Sequence, residues 1–201
     1  MSLEITTYKT VTAVTQAEYR DRGSRFIAYV YPVQSQDEIK AQIKLLKAEH
    51  PKAVHCCYAF RLGFDKTNYR ANDDGEPSGS AGKPILGQID SFEITQVLIC
   101  VIRYFGGVLL GVPGLIQAYK TVAHDALLQN EIITKDIEQH YNLQFDYTLM
   151  NDVMRVLKQH QVTILSQESL LFCSYNVSIP LKDKKDILEV LRKIHGLTIQ
   201  E

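Results

Sequence analysis

Long apolar runs are missing from this chain of 201 residues, and so is an excess of charge of either sign. No apolar segment approaches the ~20 residues that cross a bilayer as a helix. No charged N-terminal stretch precedes an apolar run and a cleavage site, so the sequence reads as that of a cytoplasmic protein. Formal net charge is -1. Through Thr134 there are 14 basic and 14 acidic residues, and from Lys135 onward 8 and 9. Neither part is a basic domain, which argues against nucleic-acid binding through bulk charge and leaves only a local basic patch open. Cysteine is sparse, at Cys56, Cys57, Cys100 and Cys173, and its spacing matches no zinc motif. Adjacent cysteines on a strand point to opposite faces, so these read as reduced structural thiols, with no metal and no cofactor assigned. Repeats, low-complexity segments and long charge runs are also absent. What is present is 45% apolar residues, enough to bury an ordinary core in one or two domains.

The first part of the chain, residues 1–134, alternates strand and helix patterns. Phe26-Ile-Ala-Tyr-Val-Tyr is aromatic and β-branched, after a turn at Asp21-Arg-Gly-Ser. Ser35 and Glu38 form a capping-box pattern ahead of Ile39, Ile43 and Leu46, and Pro51 ends that helix. Val54 to Leu62 reads as a strand, and Gly63 to Glu76 as a polar loop. A helical pattern runs from Ser80 toward Gln88. Val97 to Ile102 is a six-residue apolar run, which predicts a strand buried on both faces. Another helix runs from about Pro113 to Gln129, with Leu115, Tyr119, Val122 and Ala126 on one face. The boundary falls near Ile132 to Asp136. Residues 135–201 then read strand, helix, strand, strand, helix, strand. Tyr141, Leu143 and Phe145 share one strand face. Leu171, Cys173, Tyr175, Val177 and Ile179 alternate along another, and the helices are centred on Val153 and Leu191. That order is ferredoxin-like. The predicted class is α+β, with a two-layer α/β sandwich first and the ferredoxin-like domain second.

Two Gly-rich loops flank the Val97–Ile102 strand and hold most of the candidate site. In the first, Asp73, Asp74 and Glu76 crowd together. They are either solvated turn formers or groups able to hold Mg²⁺. Gly75, Ser78, Ser80, Gly82 and Lys83 follow, opening a helix whose N–H groups suit an anion. Ser80 capping that helix is the structural alternative. In the second loop, Arg103, Tyr104 and Phe105 precede Gly106 and Gly107. Arg103 with its aromatic neighbours suits a phosphate and a stacked base, or else Arg103 pairs with Glu76 and Phe105 is core. His55 has the chemistry of an acid or base near neutral pH, and Arg61 shares its strand face. No nucleophile, histidine and acid can be drawn together, so no catalytic residue is assigned.

Asp74-Gly-Glu-Pro-Ser-Gly-Ser-Ala-Gly-Lys-Pro, with Arg103-Tyr-Phe-Gly-Gly and His55-Cys-Cys-Tyr-Ala-Phe-Arg, resembles the signature of the YigZ/IMPACT family over nearly the whole chain. The resemblance implies an N-terminal domain like the second domain of a small-subunit ribosomal protein. It also implies a C-terminal domain like one of the translocation elongation factor. Family members commonly carry Lys at the position of Leu109, Arg at Gln117 and Gly at Pro113. Two candidate cations are therefore missing here, and the first loop with Lys83 becomes the better anion site. Eukaryotic relatives regulate translation initiation by restraining a starvation-activated kinase, partly through an extra N-terminal domain that this chain has no room for.

Three functions follow. The first is a non-catalytic translation factor that binds RNA, the ribosome or a ribosome-associated protein. The second is a nucleotide-dependent small-molecule kinase using Ser78-Gly-Ser-Ala-Gly and Mg²⁺. The third is a protein-interaction module whose glycine motifs are structural. The expectation for the site is that both Gly-rich loops meet in space, with Arg103 drawn to Asp74 or Glu76, and Ser80, Lys83 and nearby N–H groups free.

Overall fold

The structure, a computed structural model, describes residues 5–169 and 172–201. Its contacts divide it into two compact units, Tyr8–Lys135 and Asp136–Glu201, with residues 5–7 grouped with the second.

The first unit begins with β1 (Thr7–Val11), β2 (Thr15–Asp21), β3 (Ser24–Pro32) and α1 (Gln36–Glu49). It continues with β4 (His55–Leu62), β5 (Asn68–Asn72), α2 (Gly82–Ser91), β6 (Val97–Tyr104), α3 (Gly111–Leu128) and β7 (Ile132–Asp136). A five-stranded sheet has the order β2-β3-β6-β4-β5, and β1 pairs with β7 in a separate two-stranded sheet. All neighbours in the five-stranded sheet run antiparallel. Strand β6 is central because its side chains are apolar in both directions: every residue from Val97 to Ile102 is 0% exposed.

Alternation sorts the side chains of β6 onto two cores. Val97, Ile99 and Val101 pack with Phe26, Cys57 and the apolar faces of α2 and α3. Leu98, Cys100 and Ile102 pack with Cys56, Phe60 and the Ile39–Leu46 face of α1. The α+β class is as predicted. Helix α1 lies on the second face of the sheet, so this unit has one more layer than a two-layer sandwich. The cause is in β3, β4 and β6, whose second faces are too apolar to meet water. The capping pattern of α1 forms with a small shift. The Glu38 amide donates to Ser35 Oγ at 3.2 Å, and the Glu38 carboxylate accepts from the Gln34 amide at 2.8 Å.

One expectation is corrected. The polar loop from Gly63 to Glu76 contains β5, paired with β4 from Tyr58↔Asn72 to Leu62↔Asn68. Its Asn-Tyr-Arg-Ala-Asn sequence lies at an exposed edge with no buried face, so it carries no apolar alternation to reveal it.

The second unit holds β8 (Glu138–Phe145), α4 (Met150–Gln159), β9 (Thr163–Ser169), β10 (Cys173–Pro180), α5 (Lys184–Arg192) and β11 (Thr198–Gln200). Its sheet order is β11-β8-β10-β9, all antiparallel, the ferredoxin-like arrangement. Tyr141, Leu143, Phe145, Tyr175, Val177 and Ile179 meet Val153, Leu157, Ile187 and Leu191 of the helices. Leu171, assigned above to the β10 alternation, lies outside the described residues. The other sheet face is polar and uncharged at its centre, where Asn142 donates to Ser174 and Asn176, and Asn176 to Ser166.

Candidate functional site

The first Gly-rich loop folds around its own acid. Asp73 Oδ1 accepts from the Ala81 and Gly82 amides at 3.0 and 2.8 Å, and Oδ2 accepts from Gly79 at 2.9 Å. Helix α2 has no side-chain cap at Ala81, and the Asp73 carboxylate does that work from outside the helix. Burial pushes the Asp73 carboxyl toward protonation. The three backbone N–H groups outweigh this and hold it below the usual carboxylate range. Ser80 is fully buried, and both its amide and its hydroxyl donate to the Pro77 carbonyl, at 3.0 and 2.6 Å. The seat expected for an external phosphate is thus filled by the chain itself. The short sequence distance between Asp73 and Gly82 made this internal closure possible. Ser78 and Lys83 remain exposed, and Lys83 forms no ion pair among the described residues.

Glu76 is the hub that joins the two loops. Its side chain is 3% exposed, and Oε1 accepts from Arg103 Nη1 at 2.6 Å and from the Tyr119 hydroxyl at 2.8 Å. Cys57 Sγ lies 3.3 Å from the same hydroxyl and 3.0 Å from the Asp73 carbonyl. Burial pushes both the Cys57 thiol and the Tyr119 hydroxyl up, so both stay protonated at neutral pH. The Arg103 guanidinium lies 5.4 and 5.6 Å from the ring centroids of Phe26 and Phe105, and its Nε has no hydrogen-bond partner among the described residues.

Asp74 does not reach Arg103. Its carboxylate accepts from the Cys56 amide at 2.7 Å and from Lys47 Nζ at 2.9 Å. Its carbonyl accepts from His55 Nδ1 at 2.7 Å, with the ring lying against Gly75. A carbonyl only accepts, so Nδ1 carries a proton and the Nε2 side faces Glu76 Oε1, 3.9 Å away. The ring, 22% exposed, opens onto a cleft of about 220 Å³ shared with Lys47, His50 and Cys56.

The other candidates separate from this cluster. Strand alternation sends Tyr104 to the α1 side, where its hydroxyl meets His50 Nδ1 at 2.8 Å, so Arg103 and Tyr104 cannot grip one ligand together. Arg61 sits at the far end of β4, opposite Val97 where His55 is opposite Arg103, and pairs with Asp90. Gly106 does not pack on the first loop. It packs on the β2–β3 turn, where a Cβ would stand 1.9 Å from the Gly23 carbonyl carbon. Gly107 has φ of +86° with open space around it. Phe105 is 47% exposed and not core. Glu76 therefore joins the two loops, by way of Arg103 and of Tyr119 in α3.

Sequence reasoning missed two members of the network, Tyr119 and Lys47. Tyr119 carried a usable signal. A tyrosine within the apolar Leu115–Val122–Ala126 stripe needs a buried partner for its hydroxyl, and a nearby acid was the obvious acceptor. All three loop carboxylates have partners within the protein.

Among the described residues, no helix is long and apolar enough to cross a membrane. Residues 22–127 match the model of the Impact N-terminal domain. An IMPACT family member of Haemophilus influenzae is 36% identical over 148 residues, 73% of this chain and 72% of that protein. The IMPACT family member YigZ of Escherichia coli is 34% identical over 79% of each chain. A crystal structure of a protein described as hypothetical superposes with a TM-score of 0.76 at 28% identity, covering 98% of this chain and 97% of the other. The buried Glu76–Arg103 pair and the Asp73-capped loop both lie within the matched residues, and the chain belongs to the IMPACT family.

Proposed function

We propose that this protein is a non-catalytic accessory factor of translation that binds a protein of the ribosome or a ribosome-associated factor. The observation that carries the non-catalytic part is the Asp73 carboxylate, which occupies the N–H groups that a nucleotide phosphate would need. Burial of Glu76 against Arg103 and Tyr119 gives the second Gly-rich loop a fixed shape without leaving a reactive pair exposed. Family membership supports the link to translation. A protein face suits the near-neutral charge and the exposed apolar residues Phe105, Val108 and Leu109 better than an RNA backbone does.

Co-sedimentation with purified ribosomes across a salt series tests this reading. Association that survives moderate salt is expected, because an apolar face depends little on counterion release. No association even at low salt would refute it. Association lost steeply with salt and reproduced with naked ribosomal RNA would move the partner from protein to RNA.

A further inference from the structure

Exposed apolar side chains are concentrated at one place on the first unit. Phe105, Val108 and Leu109 of the loop before α3, and Val112 and Ile116 on its first turns, are all exposed, Leu109 by 80%. Isolated exposed apolar residues are ordinary on a soluble surface, but a cluster within one loop and two helical turns marks a contact surface. Val112, Ile116, Lys120 and His124 follow at four-residue spacing and share a stripe of α3. Ile116, Lys120 and His124 form one wall of a groove of about 650 Å³, and Pro84 and Gly87 of α2, with Phe92 just after it, lie on the other. A Cβ added at Gly87 would meet nothing within 4 Å, so the groove is open along α2.

Lys120 lines the groove and Lys83 directly precedes Pro84 of its other wall. Neither forms an ion pair among the described residues, although the Lys83 charge helps hold the Asp73 carboxyl down. Helix α3 has no side-chain cap at Leu110, the residue before it, so its first N–H groups add partial positive charge beside Val112. Of the acids on these two helices, Asp90 pairs with Arg61, and Asp125 lies beside the His124 ring. A second copy placed on this surface by a two-fold axis would bring the same lysine-bearing patch of both copies together, like charge toward like charge. From Val112 to His124 the stripe is ~18 Å long, about three helical turns.

We propose that the α2–α3 groove docks an acidic amphipathic helix of another protein. Its apolar stripe would cover Val112 and Ile116, and its flanking carboxylates would meet Lys83, Lys120 and the α3 N-terminus. The inference goes beyond the translation reading, since it concerns the form of the docked segment and holds whether or not the partner is ribosomal.

The test is fluorescence anisotropy with the full chain and a labelled synthetic helix that carries Leu on one stripe and Glu on both flanks. Its twin carries Lys in place of Glu. The acidic peptide is expected to bind with a dissociation constant below about 1 mM, and the basic twin about tenfold more weakly. Lys120→Glu should narrow or reverse that preference. Gly87→Leu should weaken the acidic peptide about tenfold by filling the groove. The same change keeps or raises the melting temperature, because leucine favours a helix over glycine. No binding, equal binding of both peptides, or binding indifferent to Gly87→Leu overturns the proposal. Sedimentation equilibrium supplies the last arm: a dimer that Ile116→Glu dissociates would make a second copy the occupant and overturn it as well.

Discussion

Replacing Asp73 with alanine strands the amides of Gly79, Ala81 and Gly82 at once. Ala81 and Gly82 are buried, so water cannot easily replace the carboxylate there, whereas Gly79 is half-buried. A buried donor left unpaired costs about 1–3 kcal/mol, so two of them give a loss of about 3 kcal/mol. Asp73→Asn keeps one oxygen able to accept from Ala81 and Gly82, turns its own NH₂ toward Gly79 and gives up the charge, for a loss of about 1–2 kcal/mol. Urea unfolding followed by far-ultraviolet circular dichroism measures both, and the chain has no tryptophan to follow instead. Sulfate or phosphate should restore part of the stability of Asp73→Ala and none of the wild type's, because only the variant leaves the helix N-terminus open to an anion. The Asp73 carboxyl is held below its ordinary range in the folded state. Its contribution is therefore complete above the unfolded value of about 3.9 and disappears as pH falls through the lower folded value. The gap between wild type and Asp73→Asn should close in acid. A loss for Asp73→Ala within about 0.5 kcal/mol of zero, or a gap to Asp73→Asn that persists in strong acid, would refute the reasoning.

Arg103→Ala leaves the buried Glu76 carboxylate without its cation and should cost about 3–5 kcal/mol in thermal or urea melts, while Lys83→Ala should stay within about 0.5 kcal/mol. Comparable losses for the two would mean that the Glu76–Arg103 pair is not buried as described. Gly106→Ala places a Cβ 1.9 Å from the Gly23 carbonyl carbon and should cost about 2 kcal/mol or more, since backbone must move. Gly107→Ala meets only its positive φ, at about 1 kcal/mol, so equal losses in paired melts would contradict the close approach at Gly106. Burial pushes the Cys57 and Cys100 thiols up, so a thiol-reactive dye read by mass spectrometry should label them far more slowly before urea than after. Prompt native labelling of Cys57 would put it at the surface.

Periodicity carried the elements. Six apolar residues in a row made β6 a central strand, because only a position with cores on both sides satisfies them. Period-two alternation through Tyr141, Leu143 and Phe145, with helix faces around Val153 and Leu191, was enough for the ferredoxin-like unit. The long glycine-bearing motifs pointed to the family. The edge strand β5 stayed hidden, because a strand without a buried face has no pattern to show. The separation of Arg103 from Tyr104 was legible in strand alternation, whereas their partners were not. Tertiary structure alone decided where three near-adjacent carboxylates would go. Asp73 turned back onto α2, Asp74 onto β4 and Lys47, and Glu76 inward to Arg103 and Tyr119. Composition and spacing give such acids equal claims on a cation or an amide. What separates them is which backbone or side chain lies within hydrogen-bond distance once sheet register and helix packing are set: Asp73 finds amides six to nine residues on, whereas Asp74 and Glu76 find partners 18 to 43 residues away.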